Sequence, residues 1–316
     1  MSAKDSDPTT PTGALSPRRA FGVAGVQMRS APWDASANLA TIERLVTSLA
    51  RGMPWVRMVV FHELAVPGAV QLDRTPDAAE LQALEQPIPG PHTDRLGALA
   101  AKTGLWLVPG SLYERDGAEV FNTAVAISPT GEIVAKYRKI FPWYPYEART
   151  AAGRDFCVFD VPEVGRFGLS ICYDMWFPET IRTLAWMGAE VIVHPTLTTT
   201  SDRELEVVLS RANAITNQCY FLDVNGIGPW GGGTSTFVDP DGRVLQTAGT
   251  DQAVLTELLD LDRVRRAREL GTLGLTQTLK QLRDTGIRFP PYEGDVADGA
   301  VFDDLGPLGH GSVRNR

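Results

Sequence analysis

Three residues of different chemistry each follow an apolar run: Glu63 in VRMVVFHEL, Lys139 in EIVAKYRK and Cys172 in FGLSICYD. A thiol is a useful nucleophile as thiolate, a nearby ammonium favours that anion, and a neighbouring carboxylate can take the proton as general base. Singly, each has a plainer reading. Free cysteine is among the most often buried residue types, and a charge at a strand end is usually solvated. Together, at strand ends of an α/β chain where catalytic groups gather, the three supply a nucleophile, a base and a cation. Cys157 and Cys219 lack comparable polar surroundings and read as structural positions.

Such a trio needs a large fold to hold it. With 316 residues, 43% of them hydrophobic, the chain can bury a substantial core. FGVAGVQM predicts a strand, and NLATIERLVTSLARG places Leu39, Ile42, Leu45, Val46 and Leu49 at helical spacing before Gly52. VRMVVFHEL reads as a strand covered on both faces, PHTDRLGALAAKTG as a helix and LWLVPGSL as the next strand. Pro129-Thr130-Gly131 sits between two apolar segments as a hairpin turn, and VDPDGRVLQTAG repeats the design, so the sheet is expected to be mixed. Between the hairpins lie strands over FGLSICYD, EVIVHPT and QCYFLDVN, a helix opening at Pro178 and a long helix over DRELEVVLSRANAITN. The class is α/β.

Residues 1–19 are rich in Ser, Thr and Pro and predict a disordered tail. Residues 20–287 form the expected domain, and 288–316 an extension that packs on the domain or on a partner subunit. The net charge of -8 argues against nucleic acid as a partner. No stretch approaches a membrane helix and the N-terminus lacks an apolar signal segment, so a cytoplasmic protein is expected. Three cysteines without CxxC and four histidines without HxH or HExxH spacing give no metal motif. GPWGGGTS lacks the lysine of a P-loop and reads as a loop. A small-molecule ligand is the expected partner.

FHEL, KYRK and ICYD match, in order and spacing, the Glu-Lys-Cys triad of the nitrilase superfamily of carbon–nitrogen hydrolases, which the chain resembles over roughly residues 21–287. KYRKIFPWYPYE resembles the aliphatic amidase and formamidase branch, whose second glutamate corresponds to Glu147. Tyr173-Asp174 after the cysteine also resembles amidase-type members. The sequence departs from the pattern at His62, where many members carry proline, and at Thr216, where glutamate is common.

The resemblance implies a four-layer α-β-β-α sandwich, a homodimer or higher homo-oligomer, no cofactor and no metal. It implies that Cys172 attacks a small linear amide, with Glu63 as base, Lys139 and the Tyr173 backbone N–H as oxyanion donors, and Glu147 orienting substrate and holding Lys139. A thioester and ammonia follow, then acid. Pocket walls are expected from Trp143, Tyr144, Tyr146 and Trp176, and from the His194–Asp202 loop, with His194 among the substrate-side candidates although by itself it reads as structural or as a hydrogen-bonder of the loop. Hydrolysis of an N-carbamoyl amine or a nitrile by the same triad, and a non-catalytic scaffold, remain alternatives.

Overall fold

The computed structural model describes residues 19–68, 77–144, 146–272, 274–294, 299–302 and 305. In chain order the first half runs β1 (Ala20–Gln27), α1 (Ala35–Gly52), β2 (Val56–Phe61), α2 (Ala78–Leu84), β3 (Glu85–Gln86), α3 (Pro91–Thr103), β4 (Trp106–Val108), β5 (Ser111–Asp116), β6 (Glu119–Ile127) and β7 (Ile133–Arg138). The second half runs β8 (Cys157–Val161), β9 (Gly165–Leu169), α4 (Pro178–Trp186), β10 (Val191–Thr196), α5 (Asp202–Asn217) and β11 (Tyr220–Asn225). A small ribbon of β12 (Ile227–Gly228) and β13 (Gly231–Gly232) follows, then β14 (Thr236–Val238), β15 (Val244–Thr247), β16 (Ala253–Asp260), α6 (Leu261–Leu270) and α7 (Thr278–Asp284).

Two mixed sheets result, ordered β16-β1-β2-β4-β6-β5-β3 with β7 on β6, and β15-β14-β11-β10-β9-β8. Alternation along each strand explains the layers. Met58 and Val60 of β2 face a core shared with Phe167, Leu169, Val191, Val193 and Leu222 of the other sheet. Val59 and Phe61 face Leu39, Ile42, Val46 and Leu96 of α1 and α3. On the far side Ile192 and Phe221 meet Ile181, Leu184 and Ala214 of α4 and α5. The expected four layers, α-β-β-α, are present. Both faces of the central strands are buried, which is why β2 reads as a continuous apolar run.

β1, β2 and β4 are mutually parallel, as are β9, β10 and β11. The residues after β2, β7, β9 and β10 gather at one end of the sandwich. Glu63, Lys139, Cys172 and Thr198 all sit there, each within three residues of a strand end.

The segment LWLVPGSL is two strands, β4 and β5, broken at Pro109-Gly110. Gly110 has φ +79°, and a Cβ there would collide with the His62 carbonyl, so the break lets the chain pass the segment carrying Glu63. β8, β16 and α6 were not read as elements in the sequence. Of the expected N-terminal tail only Arg19 lies within the described residues, and it pairs with Glu190 and Asp262. In the C-terminal extension Tyr292 meets Trp186 of α4 edge-on. Among the described residues no helix is long and apolar enough to cross a membrane.

Phe167 is fully buried between Phe159 of its own sheet and Phe21 of the other. Phe167→Ala is expected to lower unfolding free energy by about 3–5 kcal/mol, read as a reduced denaturant midpoint. A loss below about 1 kcal/mol would contradict this packing.

Candidate active site

Glu63 follows β2 by two residues and is held from several sides. Its N–H donates to the Thr196 carbonyl at the end of β10, 3.2 Å away. Its carbonyl accepts from His62 Nδ1 at 2.7 Å. Burial pushes the His62 imidazole down to about 4, so the ring is neutral near pH 7 and serves as a hydrogen-bonding strut. Leu64, next in the chain, has φ +52° and its N–H donates to Ser111 Oγ. His62, where the resemblance leads one to expect proline, therefore orients the backbone that carries Glu63.

Lys139 emerges from β7 with its ammonium 1% exposed. Nζ lies 2.9 Å from Glu63 Oε1 and 2.5 Å from Glu147 Oε2. Asn122 of β6 donates through Nδ2 to Glu63 Oε1 and to Glu147 Oε1, both at 2.8 Å. Glu147 also accepts the Trp143 N–H at 2.6 Å. One cation and one amide thus tie together two carboxylates from distant parts of the chain.

Cys172 begins a short 3-10 helix, Cys172–Trp176, at φ +47°. A non-glycine residue there is strained, on the order of 1–2 kcal/mol, and persists because neighbours over-determine it. Asp174 supplies much of that constraint. Its Oδ2 accepts from Tyr137 Oη at 2.7 Å and from the Ile171 N–H at 2.9 Å, while Oδ1 accepts the Phe141 N–H at 2.9 Å. The turn bearing the thiol and the segment bearing Lys139 are joined through this buried carboxyl, which burial pushes up to about 6. The strand itself stops at Leu169, so the thiol belongs to the turn rather than to the strand's last residue.

Burial raises Cys172 well above the ordinary thiol value; the Glu63 charge adds to this and Lys139 opposes it without prevailing. The thiol is hydrogen-bonded to Glu63, the group expected to take its proton. Burial also raises Glu63, against the pull of Lys139. For Lys139, burial works against the ammonium, but Glu147 and Glu63 outweigh it and hold the group charged. Glu147 ends below its usual value because Lys139 overcomes its burial.

These groups form the floor of a cavity of about 450 Å³. Trp143, Tyr146 and Trp176 line it, as does Tyr173, with Leu197, Thr198, Thr199 and Thr200 from the loop after β10 and Asp202 at the start of α5. Two expected wall residues do not. Tyr144 is not part of the lining, whereas Trp143 and Tyr146, stacked 4.6 Å apart on either side of it in the chain, are. His194 is fully buried within β10, with Nδ1 2.7 Å from Ser170 Oγ, and does not reach the cavity.

Tyr113, Glu206 and Trp230 also line the cavity and were missed in the sequence. Cys172 Sγ lies 3.7 Å from Thr198 Oγ1, which donates to Glu206 Oε1 at 3.0 Å. Glu206 Oε2 pairs with Arg203 at 3.1 Å, and Arg203 with Asp223 at 2.8 Å. Burial drives the Glu206 carboxyl up to about 7 despite Arg203.

A protein-family model described as carbon–nitrogen hydrolase matches residues 22–269. Human omega-amidase NIT2 is 33% identical over 200 residues, covering 58% of this chain and 71% of that protein. A formamidase of Bacillus cereus (strain Q1) is 32% identical over 194 residues, covering 61% of this chain but 57% of the formamidase. Among solved structures, Saccharomyces cerevisiae Nit3, a member of the nitrilase superfamily, has a TM-score of 0.71 at 25% identity, covering 79% of this chain and 93% of that one. An amidase from Nesterenkonia sp. has a TM-score of 0.67 at 26% identity, covering 78% and 92%.

The Glu206 shift makes a stability prediction with a definite sign. A carboxyl raised from 4.5 to about 7 on folding takes up protons, so its contribution falls as pH rises through that window. Between pH 4.5 and 7 the wild type should therefore lose stability relative to Glu206→Gln, by on the order of 2 kcal/mol in urea titrations at each pH. A difference independent of pH would contradict the assignment.

Proposed function

This chain belongs to the carbon–nitrogen hydrolase family, and from that premise and the site geometry we propose that it cleaves small linear carboxamides to acid and ammonia through a thioester on Cys172. The observation that carries the reading is the thiol beside the Glu63–Lys139–Glu147 cluster at the floor of an aromatic-walled cavity. Amidases among the relatives and structural neighbours support amide hydrolysis as the general activity.

In the proposed cycle the Cys172 sulfur attacks the amide carbonyl carbon as its proton passes to Glu63. Burial, which raises the thiol above its ordinary value, favours transfer in concert with attack. Lys139 has two of its three N–H groups committed to carboxylates, and the third can donate to the developing oxyanion. The Tyr173 N–H, in the first turn of the 3-10 helix, is the second donor. Collapse of the tetrahedral adduct breaks the C–N bond, and the proton on Glu63 leaves with ammonia. Water then gives a proton to Glu63, attacks the thioester carbonyl, and releases the acid as the thiol is reprotonated. Glu147 serves as a positioning residue: it anchors Lys139 and faces the substrate space.

Ammonia release from butanamide and propanamide is the direct assay. Cys172→Ala should reduce it to background, and Glu63→Gln should lower kcat by on the order of 100-fold or more. Full turnover in Cys172→Ala would end the proposal.

A further inference from the structure

The cavity has two chemically distinct parts. On its floor Lys139 is the only lysine or arginine among the described residues that line it, and two carboxylates already share its ammonium. Beyond the floor α5 brings Asp202 and Glu206, one helical turn apart, to the lining. Aromatic rings make up much of the remaining lining: Trp143 and Tyr146 as a stacked pair, with Tyr173, Trp176 and Trp230. Faces of such rings attract cations.

The guanidinium paired with Glu206, that of Arg203, lies outside the described lining and divides between Glu206 and Asp223, so at pH values above about 7, where Glu206 is ionised, the group keeps a net negative charge. Asp202 takes the Thr200 hydroxyl at 3.2 Å, a neutral partner. Glu206 is separated from the Cys172 sulfur by a single hydroxyl, that of Thr198, so a short acyl chain bound at the thiol ends beside it.

We propose that this pocket selects primary amides whose short acyl chain ends in an ammonium group, with Glu206 and Asp202 as counter-charges and the aromatic walls as its apolar lining. The inference deepens the amidase reading and rests on it. An ammonium supplies a positive charge to set against Glu206 and Asp202, and its methylene stem fits against the rings. A carboxylate in the same place meets like charges from Glu206 and Asp202, and an alkyl chain gains only the rings.

The test uses the full-length chain and matched amides: β-alaninamide against butanamide, γ-aminobutyramide against pentanamide, and succinamate as the anionic member. The ammonium amide should exceed its alkyl isostere in kcat/KM by about tenfold or more in at least one pair, with succinamate slowest. Glu206→Gln and, independently, Asp202→Asn should each shrink the ammonium-to-alkyl ratio, chiefly through KM of the cationic substrate. Asp202 is half-buried at the start of α5, so its variant serves if Glu206→Gln folds poorly. Alkyl amides cleaved as well as their cationic partners, succinamate preferred, or a ratio unchanged in both variants would each overturn the inference while leaving amide hydrolysis intact. If no amide released ammonia above the Cys172→Ala background, the amidase reading itself would fall, and this inference with it.

Discussion

The site depends on one ammonium shared by two buried carboxylates. Lys139 holds Glu63 and Glu147 at hydrogen-bonding distance in a place from which water is nearly excluded. Desolvating three charges costs several kcal/mol each, and removing any one partner leaves an uncompensated charge. Asn122 reduces that cost by donating to both carboxylates. Such a cluster is weak evidence for stability and better understood as a functional device, because an apolar core would fill the space more cheaply. Its geometry is imposed by the sandwich: β2, β6 and β7 lie in one sheet and bring residues 63, 122 and 139 together.

The same cluster sets the state of the thiol. Lys139 favours the thiolate, while burial and the Glu63 charge favour the thiol and outweigh it. The Glu63–thiol pair is then poised with its proton available for transfer, and Lys139 keeps an N–H for the oxyanion. Around this centre the positioning is shared between sheets. Glu63 is tied to β10 through Thr196, and the Cys172 turn is tied through Asp174 to Tyr137 and Phe141, on either side of Lys139 in the chain. Movement of one sheet against the other would disturb all three groups, so the packing of Phe21 on Phe167 bears on the chemistry as well as on stability.

Much of the fold was legible because the central strands are buried on both faces and the helices have one apolar stripe. α1 and the two hairpins follow directly from Leu39, Ile42, Val46 and the Pro129-Thr130-Gly131 turn. β8 and β16 were not, since CVFDV and AVLTELLD mix exposed and buried positions without a clean alternation. Glu63, Lys139, Cys172 and Glu147 could be picked out because their charge or thiol stands at the end of an apolar run or in a resembling motif, and the structure places them side by side. Glu206 had the opposite signal. Arg203, Glu206, Ser210, Asn213 and Asn217 recur at helical spacing along α5, and this polar face is buried. Polar periodicity alone does not distinguish water from a buried network. His194 misled for a related reason: a histidine in an apolar strand can be satisfied internally, as it is by Ser170. Tyr144 illustrates a finer limit, since nothing in WYPYE says which ring of an aromatic run faces inward.

Passage of the substrate acyl group through Cys172 is tested by intact and peptide-mapped mass spectrometry of the wild type, acid-quenched during steady-state turnover of butanamide. A single added butanoyl group is expected, located on the peptide containing Cys172 and lost when the mixture is allowed to exhaust its substrate. Ammonia production with the acyl group on a different residue would contradict it, as would steady turnover with no adduct on Cys172 at any quench time when hydroxylamine traps no acyl product.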